Sequence, residues 1–458
     1  MIEQSRLSLS RITAYALPAV PLSALSLPLA VFIPPLYAEH TSLSLNLIGT
    51  LFFATRIIDV FTDPSFGLFA DRTRPDIGRR KFWMLASVPL LMLSIWMLFN
   101  PPESAGWLYL TVWLSLIYLG YTMSFISHLA WGAELSGLYD DRSRVLGFRQ
   151  IAVNGGMLTV LVLPAILSLD GDSVARATAM SIYVLISLPL TIGISVLLVP
   201  DPKPSEHIVE QPSLREILRD LSANPHLARL LIAEFCLASA LGITGSLFVW
   251  FSEDVLRTGD QTSIVLLAYF GAAVISMPAW IWVAKRFEKH TAFSVAMLYG
   301  AATLGSYVFL PPENTTLAII GTTLYGLAFG AGIFLARAML ADIADHDALT
   351  YGEPRMSIFF STLTLMAKVG GAAGPFIAYN ILGWVGYDPN VAPTETGTRW
   401  LMITFILAPS SFLLLGGWII RKHTLTRAEH DKIRKVLEAR SMASADESVA
   451  SETAPAKG

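Results

Sequence analysis

The feature that most constrains this chain is a mostly apolar run of about 20 residues, long enough to cross a bilayer as one helix, that recurs from near the start almost to the end, as in MLASVPLLMLSIWMLF at 84–99. Strands of a membrane barrel would be about 10 residues long and would alternate apolar with polar, which these runs do not. Of the 458 residues, 53% are hydrophobic and only 15% charged, a balance that a water-soluble globule of this size could not present without aggregating. The reading is an all-α membrane protein.

The spacing predicts twelve spans near 14–37, 45–70, 82–100, 107–134, 145–168, 177–199, 226–251, 262–284, 291–310, 316–343, 358–385 and 400–420. With both termini cytoplasmic, the inside loops carry Arg72, Arg74, Arg79, Arg80, Lys81, Arg142, Arg144, Lys203, Arg215, Arg219, Lys285, Arg286 and Lys289. The outside loops carry only Arg176, Arg257 and Arg399. Retention of basic loops in the cytoplasm fixes that orientation and supports an even span count, so the expected location is the inner (plasma) membrane, multi-pass. The first apolar segment has no small-residue cleavage pattern and reads as an uncleaved helix.

The longest polar interruption, from Pro200 to about Asn224, divides the spans six and six. The expected organisation is a first six-helix half at 1–199, a cytoplasmic linker at 200–225, a second half at 226–421, and a basic segment with a disordered tail at 422–458. PAWIWVAKR from Pro278 to Arg286 lies over PSFGLFADR from Pro64 to Arg72, at matching ends of the second span of each half. Duplicated halves around a midplane site are a recurrent transporter design. The basic stretch after the last span is expected on the anionic inner leaflet.

Net charge is −3, which gives a nucleic-acid partner no support, and the single cysteine, Cys236, excludes an internal disulfide and a cysteine metal cluster. No Walker A loop, H-E-x-x-H or G-x-S-x-G occurs, so neither ATP-driven pumping by this chain alone nor familiar hydrolase chemistry is supported, and the chain reads as a non-enzyme without cofactor.

Charge at membrane depth is the main functional signal. Asp59 and Asp63 are four apart, hence on one helix face, with Arg56 three residues before Asp59. An ionised group at that depth costs at least about 2.5–3.5 kcal/mol, so these groups need partners, a wet cavity or a function. The bland alternative is an Arg and Asp network that only locks helices together. Lys368 lies mid-span without an acid on its own helix, so its partner must come from elsewhere in the bundle; Arg149 lies nearer a span end. Glu234 and His128 are lone polar groups that could line a cavity, although a solitary buried His is more often a hydrogen-bonded packing residue. Gly326 with Gly330, and Gly370 with Gly374, put small faces on the tenth and eleventh spans for close packing. Pro18, Pro21, Pro28, Pro34 and Pro35 are expected to kink the first span.

Three stretches carry a family resemblance: DVFTDPSFGLFADRTRPDIGRRKFW from Asp59 to Trp83, YTMSFISHLAWGAELSGLYDDRSRVLGFRQI from Tyr121 to Ile151, and Ala341 to Tyr387 with its ending ILGWVGY. Together they resemble the glycoside, pentoside and hexuronide to cation symporters, the melibiose permease group of the major facilitator superfamily. The resemblance implies the major facilitator fold, two pseudo-symmetric six-helix halves, and cation-coupled uptake by alternating access. By position it implies that Asp59, Asp63 and Thr122 hold the coupling cation, H+ or Na+, that Lys368 contacts them, and that Arg149 lies near the substrate. Asp71, Arg72, Arg79 and Arg80 resemble the superfamily's inner gate. No metal is implied beyond a Na+ at Asp59 and Asp63.

The departures are specific. Ser23 and Phe125 stand where sugar-binding members carry acids, and His128 stands in place of a tryptophan. Ser23, Phe125, His128, Arg149 and Glu234 form the expected substrate set. Phe125 in place of an acid removes oxygen ligands for sodium, which favours protons, and losing two carboxylates removes acceptors a pyranoside would use. The expected function is cation-coupled symport of a sugar, glycoside or related small organic solute, by a chain that works as a monomer in the lipid bilayer. A lysolipid or amphiphile carrier of the same fold and a non-transporting membrane assembly factor are the alternatives.

Overall fold

The computed structural model describes residues 7–437 apart from 74, 136–138, 170, 201–223, 352–355 and 392–393. Residues 201–223 of the predicted linker, the tail from 438 onward, and Arg74, Lys203, Arg215 and Arg219 therefore lie outside the described residues. Among the described residues there are helices and no strands.

The first span is broken into α1 (Leu9–Ala16), α2 (Ala19–Val31) and α3 (Ile33–His40). Each break falls three or four residues before a proline that cannot donate a backbone hydrogen bond and whose ring crowds the i−4 carbonyl: Pro21 crowds Leu17 at the first break, and Pro35 crowds Val31, the last residue before the second. There follow α4 (Leu45–Arg72), α5 (Arg79–Phe99), α6 (Trp107–Glu134), α7 (Tyr139–Leu167) and α8 (Ser173–Leu198). The second half holds α9 (Pro225–Trp250), α10 (Thr262–Phe287), α11 (Lys289–Ser306), α12 (Thr315–Tyr351), α13 (Met356–Trp384) and α14 (Glu395–Arg421). Among the described residues, eleven spans are long and apolar enough to cross a membrane. The twelfth, α13, has the length, at 29 residues, but carries Lys368 and a glycine-rich stretch at its middle. Apolar side chains such as Leu197 at 84% exposure and Ile275 at 77% point outward, as lipid-facing residues must when backbone polarity is satisfied inside each helix.

Within the first half α5 packs on α6, and α2 on α7 and α8; within the second, α9 packs on α13 and α14, and α10 on α12. The halves meet where α4 packs on α13, α7 on α10, and α2 and α3 on α9. The glycine faces account for two of these contacts. A Cβ on Gly326 or Gly330 would collide with the backbone carbonyls of Tyr269 and Ala273 on α10, and one on Gly374 would lie 2.5 Å from the Ser239 carbonyl on α9.

At the end of the bundle away from the termini, polar contacts tie the halves together. Trp250 Nε1 donates to Glu39 Oε1 at 2.9 Å, Asn46 Nδ2 to Asn380 Oδ1 at 3.2 Å, and Asn390 Nδ2 to the Ala38 carbonyl at 2.7 Å. Arg176, expected as a loop residue, is instead part of α8, only 1% exposed, 4.8 Å from the Phe32 ring centre and 3.8 Å from Glu253. Long-range burial of that kind leaves no trace in a loop-charge pattern.

The basic segment after α14 forms a further helix, α15, at 427–437, and it docks on protein. Arg427 N–H donates to Glu288 Oε2 at 3.0 Å, and His430 Nε2 lies 2.8 Å from Asp345 Oδ2 on α12. Beside it the rings of His226, His290 and His423 cluster, His423 being 5.0 Å from His226 and 5.8 Å from His290.

Candidate functional site

Because 3.6 residues make a helical turn, Asp59 and Asp63 project from the same side of α4, toward α6 and α13. From α6, Thr122 Oγ1 lies 2.6 Å from Asp63 Oδ1 and 3.1 Å from Asp59 Oδ1. From α13, Lys368 Nζ is 2.9 Å from Asp59 Oδ2 and also ion-pairs with Asp63. Arg56 Nη1 completes the group 3.1 Å from Asp59 Oδ2, its guanidinium 4.8 Å from the Tyr118 ring centre. Asp59 is 3% exposed. The cluster therefore joins three helices and both halves, with two carboxylates balanced by two cations. Removing charges from water is costly unless pairing and hydrogen bonds compensate, and here each carboxylate has a cation and the two share the Thr122 hydroxyl.

Thr122 has one hydroxyl proton and two carboxylate oxygens within reach. It therefore donates to one carboxylate at a time or shares its proton between the two.

The remaining expected residues are placed differently. Arg149 is buried, 5.1 Å from the Phe125 ring centre, with its Nε unpartnered, and Phe125 stacks on Tyr121 at 5.5 Å. His128 is engaged with the first span: its Nε2 lies 2.7 Å from the Tyr15 carbonyl, and the Tyr15 hydroxyl donates to the His128 carbonyl at 2.9 Å. Ser23 donates to the Val20 carbonyl at 3.0 Å and packs beside Gly156. Glu234 is half-buried, with Oε2 unpartnered. None of these five residues lines a cavity of about 190 Å3 between the halves, which is walled instead by residues of α2, α7, α9, α10, α12 and α14 together with Tyr307.

Of the gate residues, the side chains of Asp71 and Arg72 lie outside the described residues. Arg79 and Arg80 both pair with Glu134 at the end of α6, at 3.0 and 2.5 Å. Glu134 is a partner that sequence reasoning missed, although it stands inside the stretch that carried the second resemblance. Tyr118, Glu39 and Asn380 were missed as well; their partners are distant in sequence, 211 positions for Glu39 with Trp250, and no local pattern marks such pairs.

The chain is thus a multi-pass helical bundle with a charge-balanced cluster buried where its halves meet, and the family it matches makes it a membrane transporter of the major facilitator type. The chain belongs to the MFS/sugar transport protein family, whose model matches residues 14–427. Its relatives include a putative glycoside/cation symporter, YagG, of Escherichia coli, 24% identical with 88% of each chain covered. The isoprimeverose transporter of Lactiplantibacillus pentosus is 24% identical over 81% of this chain and 80% of that one. In fold, the chain is similar to the crystal structure of the nucleoside transporter NupG, with a TM-score of 0.67 at 13% identity, covering 91% of this chain and all of that one.

Proposed function

We propose that the protein is a cation-coupled symporter of a small organic solute of the sugar and glycoside type, working by alternating access at the inner membrane with both termini cytoplasmic. The observation that carries this reading is the contact of Lys368 with Asp59 and Asp63 across α4 and α13. The cluster as it stands is neutral, with Asp59 and Asp63 against Lys368 and Arg56. An added H+ or Na+ leaves one positive charge too many in a low-dielectric site, so it competes with the Lys368 ammonium for the carboxylates. Because Lys368 belongs to one half and the aspartates to the other, release of that contact loosens one half from the other. Ion occupancy is thereby linked to conformation. The names of the relatives support the solute class.

The coupling ion can be tested without a substrate. Purified protein in nanodiscs is melted at pH 8 with Na+ against choline, and in choline between pH 8 and pH 6. A stabilising response to Na+ or to acid is expected in the parent and absent in the Asp59→Asn/Asp63→Asn double variant. A double variant that responds as the parent does would place coupling elsewhere.

A further inference from the structure

The cavity between the halves has walls of a chemistry that free sugars do not match. It is lined by aliphatic residues of both halves and by the rings of Phe248, Tyr269, Phe270, Tyr325, Phe329 and Phe405, with no charged, amide or imidazole side chain among its lining residues. The rings brace one another: Tyr269 lies 5.7 Å from Phe329, stacked, and 5.5 Å from Tyr325. The wall is therefore preformed rather than assembled around a ligand.

Its serine and threonine hydroxyls are committed. Ser26 donates to the Ser23 carbonyl at 2.8 Å, Thr244 to Ala240 at 3.1 Å and Thr322 to Ala318 at 2.9 Å, each within its own helix. A free sugar brings a hydroxyl on nearly every carbon, and each one left unpaired on entering such a site is penalised. The available partners are the Tyr307 and Tyr325 hydroxyls, both buried without a hydrogen bond, enough for one or two polar groups but not for the full set of hydroxyls a free sugar carries. An apolar cavity near 150 Å3 takes a benzene ring, so one of about 190 Å3 takes a single substituted ring or a fused pair.

We infer that this cavity binds the apolar ring end of the transported solute, an aromatic or alicyclic group of one or two rings, so that the substrate is an amphiphile such as an aryl glycoside rather than a free sugar. The inference rests on the reading of the chain as a solute carrier. It does not depend on the ion cluster, which shares no residue with the cavity.

The test is equilibrium binding to the full chain in nanodiscs, without any ion gradient, of phenyl β-glucoside, naphthyl β-glucoside and methyl β-glucoside. Phenyl β-glucoside is expected to bind at least about tenfold more tightly than the methyl compound, from burial of the ring. Gly245→Leu fills the cavity: a Cβ there meets only Val31 Cγ2, at 3.7 Å, so the longer side chain extends into open space. It should abolish the preference for the ring. Phe329→Ala enlarges the cavity and should shift preference from phenyl toward naphthyl. Equal binding of phenyl and methyl compounds by the parent overturns the proposal, as does an unchanged ring preference in a Gly245→Leu protein that melts like the parent. If Gly245→Leu does not fold, an unshifted Phe329→Ala overturns it alone. Retained ring preference in the Asp59→Asn/Asp63→Asn variant, whatever its coupling, separates this result from the fate of the symport reading.

Discussion

The ammonium of Lys368 lies 2.9 Å from Asp59 Oδ2, a contact between residues 309 positions apart that joins the second helix of one half to the fifth helix of the other. Around it Asp63, Thr122 and Arg56 close a neutral polar group inside an apolar bundle.

Replacing Lys368 by Ala should abolish gradient-driven accumulation and lower the melting temperature, because a buried pair that loses one partner typically costs about 3–5 kcal/mol. Adding Asp63→Asn to Lys368→Ala should recover melting but not accumulation. Accumulation at the parental rate by the single variant would remove Lys368 from the coupling step.

Asp59→Asn and Asp63→Asn keep side-chain size while removing charge. In proteoliposomes loaded with aryl glycoside, both should lose uphill accumulation and retain counterflow exchange. Parental accumulation by both would place ion coupling outside this cluster.

The Trp250 to Glu39 hydrogen bond holds the halves together at the end remote from the termini. A hydrogen bond to a charged group contributes about 1.5–3 kcal/mol, so Trp250→Phe should favour opening at that end by roughly tenfold or more. In a Cys236→Ser background, a cysteine at Ala30 should then react faster with a membrane-impermeant maleimide. An unchanged rate would show that the contact does not contribute to closure.

His423 lies just beyond α14, where burial, with His226, His290 and Arg229 nearby, pushes its imidazole down to about 3. The unfolded chain takes up that proton near pH 6.5 and the folded one does not, so stability is full above about 6.5 and is lost as pH falls toward 3. At pH 5 the loss is about 2 kcal/mol, from the distance between 5 and 6.5. His423→Gln should therefore show a smaller fall in melting temperature between pH 7.5 and pH 5 than the parent, and an identical fall would refute the assignment.

By itself the sequence determined the solvent, the spans and the shared face of Asp59 and Asp63. Lipid forces every backbone polar group to be satisfied within its own helix, and helical spacing is local. The prolines of the first span and the glycine faces were legible for the same reason, since each acts on its neighbours or by its lack of a side chain. What the tertiary structure decided is which faces meet. The reach of Lys368 to α4, the burial of Arg176 beneath Phe32, the capture of Arg79 and Arg80 by Glu134, and the aromatic cavity all depend on packing between helices distant in sequence. His128 makes the same point from the other side: its residue type suggested a cavity, and the neighbouring Tyr15 carbonyl takes up its Nε2. Apolar periodicity places a helix in the membrane but does not choose its neighbour, because lipid chains are as apolar as the side chains they replace.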